Sequence, residues 1–253
     1  MERNEYALMD RVERDHWWYL ELRALLQTVI DELGVKPGQR VLDAGCGTGG
    51  NLRLYDTAFE PSYLGGFDHS VEALDFARTK VPHADLYVAD ICRPERIEGS
   101  LDWIFSTDVL YVPGVEAARG GLEQLAAALA PGGRLVLHLP AYRWLYSEHD
   151  AAVHGSERYR TSEVDELLRS LGLEVERLSY RLCLTFPLVV VSRLGSLRKP
   201  GGSFEGARSD LYRMPPRWIG LILRALTDWE HRRIASGRRL PWGSSIIAVG
   251  RKS

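Results

Sequence analysis

The sequence predicts an α/β fold, a parallel sheet carrying helices on both faces. Three observations lead there. Short apolar strands alternate with helical stretches over residues 35–180, a glycine-rich turn follows the first strand, and acids close three successive strands. Taking the elements in order, residues 5–33 are expected to be helical, because Leu22, Leu25, Leu26, Val29 and Ile30 cluster on one side and Gly34 with Pro37-Gly38 stops the run. Arg40–Asp43 is the first strand, running into Ala44-Gly45-Cys46-Gly47-Thr48-Gly49-Gly50. A helix from about residue 51 leads to a strand at Tyr63–Phe67 that ends on Asp68. The helix Ser70–Lys80 precedes a strand at Asp85–Ala89 that ends on Asp90. Leu101–Ser106 is the fourth strand. A helix over 115–130, closed by Pro131-Gly132-Gly133, leads to a fifth at Arg134–Leu139.

Beyond Pro140 the alternation lapses. A loop rich in His, Tyr and acids (141–160) precedes a helix that Thr161 or Ser162 can cap and Gly172 can end. Leu173–Tyr180 and Ser245–Val249 read as the last two strands. Residues 181–243 stand between them as an insertion, with an apolar stretch, a Gly/Ser-rich loop at Lys199–Arg208 and a helix over Pro215–Ala235. That helix places Trp218, Ile222, Leu226 and Trp229 at helical spacing. The expected organisation is one domain over 1–253: an N-terminal helical lid at 1–34, a ligand-binding core at 35–180, a helical insertion or cover at 181–243 and the last strand at 244–253.

Composition narrows the function. The 253 residues are 45% hydrophobic, enough for a substantial core. No apolar run approaches a membrane span, the charged N-terminus is unlike a secretory signal, and three scattered cysteines form neither a disulfide framework nor a CxxC site. A cytoplasmic location is expected. The net charge of −2 conceals a division: residues 1–180 hold 18 basic and 30 acidic side chains, and residues 181–243 hold 12 and 4. The basic insertion suits an anionic or amphipathic small-molecule acceptor, peripheral membrane contact, or a homodimer contact. Nucleic acid fits poorly, since the core is acidic and no basic stripe is interleaved with stacking aromatics.

Gly45, Gly47 and Gly50 satisfy G-x-G-x-x-G, so the turn alone also admits an NAD(P)-dependent oxidoreductase. The acids tilt the choice. Asp43 sits in the strand just before the glycines, and Asp43, Asp68 and Asp90 stand at three successive strand ends, the edge where open sheets bind ligands. Asp68 is placed to accept from two ribose hydroxyls and Asp90 to lie beside an adenine amino group.

Val41–Gly50 with Asp68 and Asp90, joined by Asp102–Leu110 and Leu129-Ala130-Pro131-Gly132-Gly133, resembles the class I S-adenosylmethionine-dependent methyltransferase family, in its small-molecule subgroup. The resemblance covers roughly residues 35–180. It implies a Rossmann-like seven-stranded sheet whose last strand is antiparallel, and S-adenosyl-L-methionine as cofactor. It assigns Gly45, Cys46 and Gly47 to the methionine part, Asp68 with the adjacent His69 to ribose, and Asp90 with Ile91 or Cys92 to adenine. Asp43, Thr107 and Asp108 are expected near the methionine. Asp15-His16-Trp17-Trp18-Tyr19 resembles an aromatic lid helix of the same subgroup, with Arg23 pairing the methionine carboxylate.

Methyl transfer from a sulfonium is an in-line displacement that depends on positioning, and a hydroxyl acceptor additionally needs a base. His149-Asp150 and Arg158-Tyr159 resemble a pattern of the subgroup, whereas its Gly-His pair is reversed here as His154-Gly155. His149 is the expected base, with Asp150 orienting it and His154 as second choice. No metal set is read, because the histidines lack the usual zinc spacing. The expected function is transfer of a methyl group to a hydroxyl of a glycan, nucleotide-sugar, lipid-linked or secondary-metabolite acceptor. The alternatives are the oxidoreductase and a non-methylating cofactor-binding protein of the same fold.

Overall fold

A computed structural model describes residues 3–94, 96–112, 114–146, 150, 157–196 and 217–253. Seven strands form one sheet: β1 (Arg40–Ala44), β2 (Tyr63–Asp68), β3 (Asp85–Val88), β4 (Leu101–Thr107), β5 (Leu129–Pro140), β6 (Leu173–Arg181) and β7 (Ser245–Lys252). Their order is β3-β2-β1-β4-β5-β7-β6, and β7 runs antiparallel to both of its neighbours. The remaining pairs, β1 to β2, β2 to β3, β1 to β4 and β4 to β5, are parallel. The expected Rossmann-like sheet is therefore present. The chain steps outward from β1 to β3, returns to β4 on the other side of β1, and leaves a crevice at the carboxyl ends of β1 and β4.

Both faces of the sheet are buried, as a parallel sheet with covering helices requires. In β5, Leu135 and Leu137 face α5 (Val115–Ala128) and α6 (Thr161–Ser170). Val136 between them faces the cluster of α2 (Trp17–Leu33), α3 (Gly50–Phe59), α4 (Val71–Lys80) and α8 (Arg217–Ala235). The second cluster holds the stacked rings of Trp103 and Phe105 against Tyr55 and Phe59.

Three boundaries differ from expectation. The single helix over 5–33 is two, α1 (Arg3–Val12) and α2, because His16 adopts an extended backbone and its Nδ1 accepts from Trp18 N at 3.3 Å, capping a new start. The helix expected to reach residue 130 stops at Ala128. Leu129 already pairs with Leu101, and a register shift follows before Arg134. At α6 the cap is Arg160 instead of Thr161 or Ser162: the Glu163 carboxylate accepts from Arg160 N at 2.6 Å, and Thr161 N donates to the Tyr180 hydroxyl. The insertion adds α7 (Phe186–Ser196) and α8, while Lys199–Arg208 lies outside the described residues. On α8, Leu226 and Trp229 are exposed, and the buried side chains are Thr227, Glu230, His231, Ile234 and Ala235. Leu226 and Trp229 are thus not what seats this helix, and the side chains of Trp218 and Ile222 lie outside the described ones.

Candidate active site

A cavity of about 810 Å³ opens at the carboxyl ends of the parallel strands. Its floor is the turn after β1, with Gly45, Cys46 and Gly47, and the residues ending β2, β3 and β4: Asp68, His69, Asp90, Ile91, Cys92, Thr107 and Asp108. Its cover comes from His16, Trp17, Trp18, Tyr19 and Leu22 around the start of α2 and from Leu182, Thr185, Leu188, Val189 and Leu223 of the insertion. Ten of the predicted binding residues therefore share one wall, although they span 64 positions of sequence.

The turn has little freedom. Gly45 has φ +89°, and a Cβ there would lie 2.3 Å from a Val109 methyl. Gly45 N and Cys46 N both donate to Phe67 O, and Gly47 N donates to Asp68 Oδ2 at 3.0 Å. Asp68 Oδ1 accepts from Ser70 N at 3.0 Å, so this carboxylate ties the turn to the end of β2 while it faces the cavity. His69, mostly exposed, is held by Asp68, and that contact raises its pKa. Asp90 Oδ1 accepts from Cys92 N at 2.8 Å, which folds Ala89–Cys92 along the wall.

Two of the predicted residues sit elsewhere. Asp43 lies wholly buried behind the turn, outside the cavity lining, and neither of its oxygens has a hydrogen-bond partner among the described residues. Burial, reinforced by the charge of Asp68, pushes its carboxyl up to about 8, so it is neutral at pH 7. Arg23 is also absent from the lining: its Nη2 donates to Glu13 O at the break between α1 and α2. Both placements arise because a strand-end or helix position does not tell which way a side chain turns.

His149 and His154 lie outside the described residues. Asp150 and Arg158 line the cavity as a buried pair, with Arg158 Nε and Nη2 donating to the two carboxylate oxygens at 2.9 and 3.0 Å. Arg158 Nη1 also donates to Ala141 O, and the Tyr159 hydroxyl donates to Leu110 O while accepting from Val115 N. The Arg-Tyr pair thus fastens this loop to the ends of β4 and β5.

Two groupings escaped the sequence reading. Lys80, almost fully buried, bridges Asp10 and Glu13 at 2.6 Å each and donates to Thr48 O, while the Thr48 hydroxyl donates to Glu13. This network clamps α1 and the α1–α2 break to the glycine turn. The second is a buried line from the cavity inward. Asp108 Oδ2 lies 2.8 Å from His138 Nδ1, and Arg181 Nη1 donates to His138 Nε2 at 3.0 Å. Arginine can only donate, so Nε2 accepts and the ring proton sits on Nδ1, facing Asp108. Trp18 stands edge-on to His138. Arg181 Nε and Nη2 have no partner among the described residues, and burial pushes this guanidinium down to about 10. Neither grouping has a local sequence signal, since each joins residues from distant elements.

Residues 41–133 match the model of a methyltransferase domain family. That stretch, from β1 into β5, is a methyltransferase domain of this family. It is 30% identical over 175 residues to an uncharacterised 37.1 kDa protein of transposon TN4556 from Streptomyces fradiae, covering 66% of this chain and 50% of that one. It is 31% identical over 118 residues to trans-aconitate 2-methyltransferase of Variovorax paradoxus, covering 46% and 44%. The chain spans about half the length of these curated relatives, or less. Among solved structures, phosphoethanolamine N-methyltransferase 2 of Haemonchus contortus in complex with S-adenosyl-L-methionine superposes with a TM-score of 0.60 at 19% identity, over 99% of this chain and 57% of that one. Among the described residues no helix is long and apolar enough to cross a membrane.

Proposed function

We propose that this methyltransferase moves the methyl group of S-adenosyl-L-methionine to a hydroxyl of a small anionic or amphipathic acceptor. The observation that carries this reading is the cavity itself. Its volume lies at the upper end of the roughly 300–1,000 Å³ of small-molecule sites, room for a cofactor and an acceptor together. In this reading the amino acid part of the cofactor rests on Gly45, Cys46 and Gly47 near Thr107 and Asp108. Asp68 and His69 take the ribose, and Asp90, Ile91 and Cys92 take the adenine. The turn's N–H groups are already committed, so it would offer Cα and carbonyl groups, which suit an ammonium and a sulfonium. The acceptor then lies under Leu188, Val189 and Leu223, where apolar side chains exclude water from the displacement.

His149 is the proposed base, with Asp150 orienting it and His154 as second choice. Support comes from its neighbours, since Leu145, Asp150 and Arg158 on either side of residues 147–149 and 151–156 all line the cavity. The trans-aconitate methyltransferase acts on an anion, which favours an anionic acceptor here.

Calorimetry with S-adenosylhomocysteine tests the cofactor half: one equivalent should bind, Asp68→Ala should weaken it at least tenfold, and NAD should show no heat. Binding of NAD instead would restore the oxidoreductase. For the chemistry, a panel of hydroxylated anions incubated with S-adenosylmethionine should give a product heavier by one methylene, and His149→Ala should slow it at least tenfold with S-adenosylhomocysteine affinity unchanged. A fully active His149→Ala enzyme removes that residue from the chemistry.

A further inference from the structure

The buried face of α8 carries polar side chains that the proposed reaction does not use. Asp228 and His231, three residues apart and so on one side of the helix, meet Glu21 of α2. One carboxylate oxygen from each acid and one ring nitrogen of His231 all lie within 4.8 Å of one another. Glu21 and His231 are almost wholly buried and Asp228 is half-buried. Such a grouping of two carboxylates is costly unless something positive joins them. No salt bridge joins a lysine or arginine to either acid among the described residues, although the charge of Glu21 acts on the buried Arg181 guanidinium. Glu21 accepts a hydrogen bond from the Thr227 hydroxyl, whereas the His231 ring makes no hydrogen bond with any described side chain. The second observation is burial: the His231 ring, 3% exposed, has a nitrogen within 4.8 Å of both carboxylates, and Glu21 is buried as deeply.

We propose that Glu21, Asp228 and His231 bind one Zn²⁺ ion that fastens the insertion helix α8 to α2. The donor set is one imidazole and two carboxylates, which suits a borderline cation with a water completing the tetrahedron. Metal–ligand bonds of about 2.0–2.2 Å put tetrahedral donors about 3.4 Å apart, so small side-chain rotations close the site. Arg181 and Arg232 stand near the His231 ring. Arg181 also places a positive charge in this region, and the Glu230 carboxylate, which accepts from Cys183 N and Leu184 N, offsets it.

The position gives the ion a purpose. Leu22 and Leu223, which line the cavity, stand one residue from Glu21 and five from Asp228. A metal here would hold the two helices of the cover at a set separation. The proposal does not depend on the methyl-transfer reading, and its test uses no cofactor. The full chain, stripped with EDTA and dialysed, is titrated with Zn²⁺ and then melted with and without it, beside Asp228→Asn and His231→Gln. The wild type should take up one equivalent more than either variant, and its melting temperature should rise by roughly 5 °C with zinc. Each variant should lose most of that rise. Without metal, Asp228→Asn should melt at or above the wild type, because it removes one of two neighbouring like charges. Co²⁺ in the same site should give visible absorption that His231→Gln changes. Equal zinc uptake and an equal thermal response in all three proteins would overturn the proposal.

Discussion

The two walls of the cavity are built on opposite principles. The strand-end wall is made of backbone and short polar side chains, and the sheet settles each position: Gly47 N on Asp68, Cys92 N on Asp90, and Gly45 where no Cβ fits. The cover is made largely of apolar helix residues, and one of them, Leu188, is 70% exposed. A wall of committed hydrogen bonds presents one arrangement to its ligand, whereas apolar side chains discriminate by shape and change readily. The first suits a cofactor that every member of a family shares, and the second an acceptor that differs from one member to the next.

The joint between the walls is where the comparison breaks most easily. Lys80→Met leaves Asp10 and Glu13 without their cation, and losing one partner of a buried ion pair costs about 3–5 kcal/mol. Its thermal midpoint should fall by roughly 10 °C, with S-adenosylhomocysteine binding weakened because Thr48 and the glycine turn lose their brace. An unchanged midpoint would mean that α1 is not clamped to the wall.

A smaller effect sharpens the contrast from inside the strand-end wall. Asp43 has its carboxyl raised to about 8 from an unfolded value near 4, so the folded state favours the protonated form. Its contribution is most favourable below pH 4 and is lost as pH rises through 8. Asp43→Asn should therefore melt with the wild type at pH 4, above it by a margin that grows to about pH 8, and by a constant margin beyond. Midpoints measured across pH 4–9 check this, and a pH-independent difference would show that Asp43 is paired or solvated. The smallest effect on stability belongs to the cover. Leu188→Ser should shift the midpoint by less than about 0.5 kcal/mol equivalent, since the side chain is mostly exposed. It should raise KM for the acceptor and leave S-adenosylhomocysteine affinity alone.

The legible part of the site followed the same division. Gly45, Cys46, Gly47, Asp68, Asp90 and Asp108 all reach the cavity because strand ends and the turn between β1 and α3 are set by local pattern, and parallel pairing then brings those ends together. Asp43 and Arg23 were misplaced for a different reason. A residue adjacent to the site can turn its side chain away from it, and here one goes into the core and the other onto Glu13 O. The break at residues 13–16 was hidden as well, because Glu13-Arg14-Asp15-His16 holds no glycine or proline and only the His16 cap reveals it. On α8 the apolar spacing included Leu226 and Trp229, which are exposed, yet Glu230 and His231 are buried there beside Thr227, Ile234 and Ala235. Hydrophobicity predicts a buried face only when the neighbours are also apolar, and here Glu21, Arg181 and the Cys183 and Leu184 amides supply polar partners.

The sequence by itself determined the sheet, the glycine turn and the edge where the acids gather, because strand periodicity and turn chemistry act over a few residues. Only the tertiary structure decided which acids face the cavity, that Lys80 ties the α1–α2 break to the glycine turn, that His138 stands behind Asp108, and that Glu21 meets Asp228 and His231. Those contacts join side chains 30 to 210 positions apart. Their geometry depends on how whole helices pack, which no short stretch of sequence encodes.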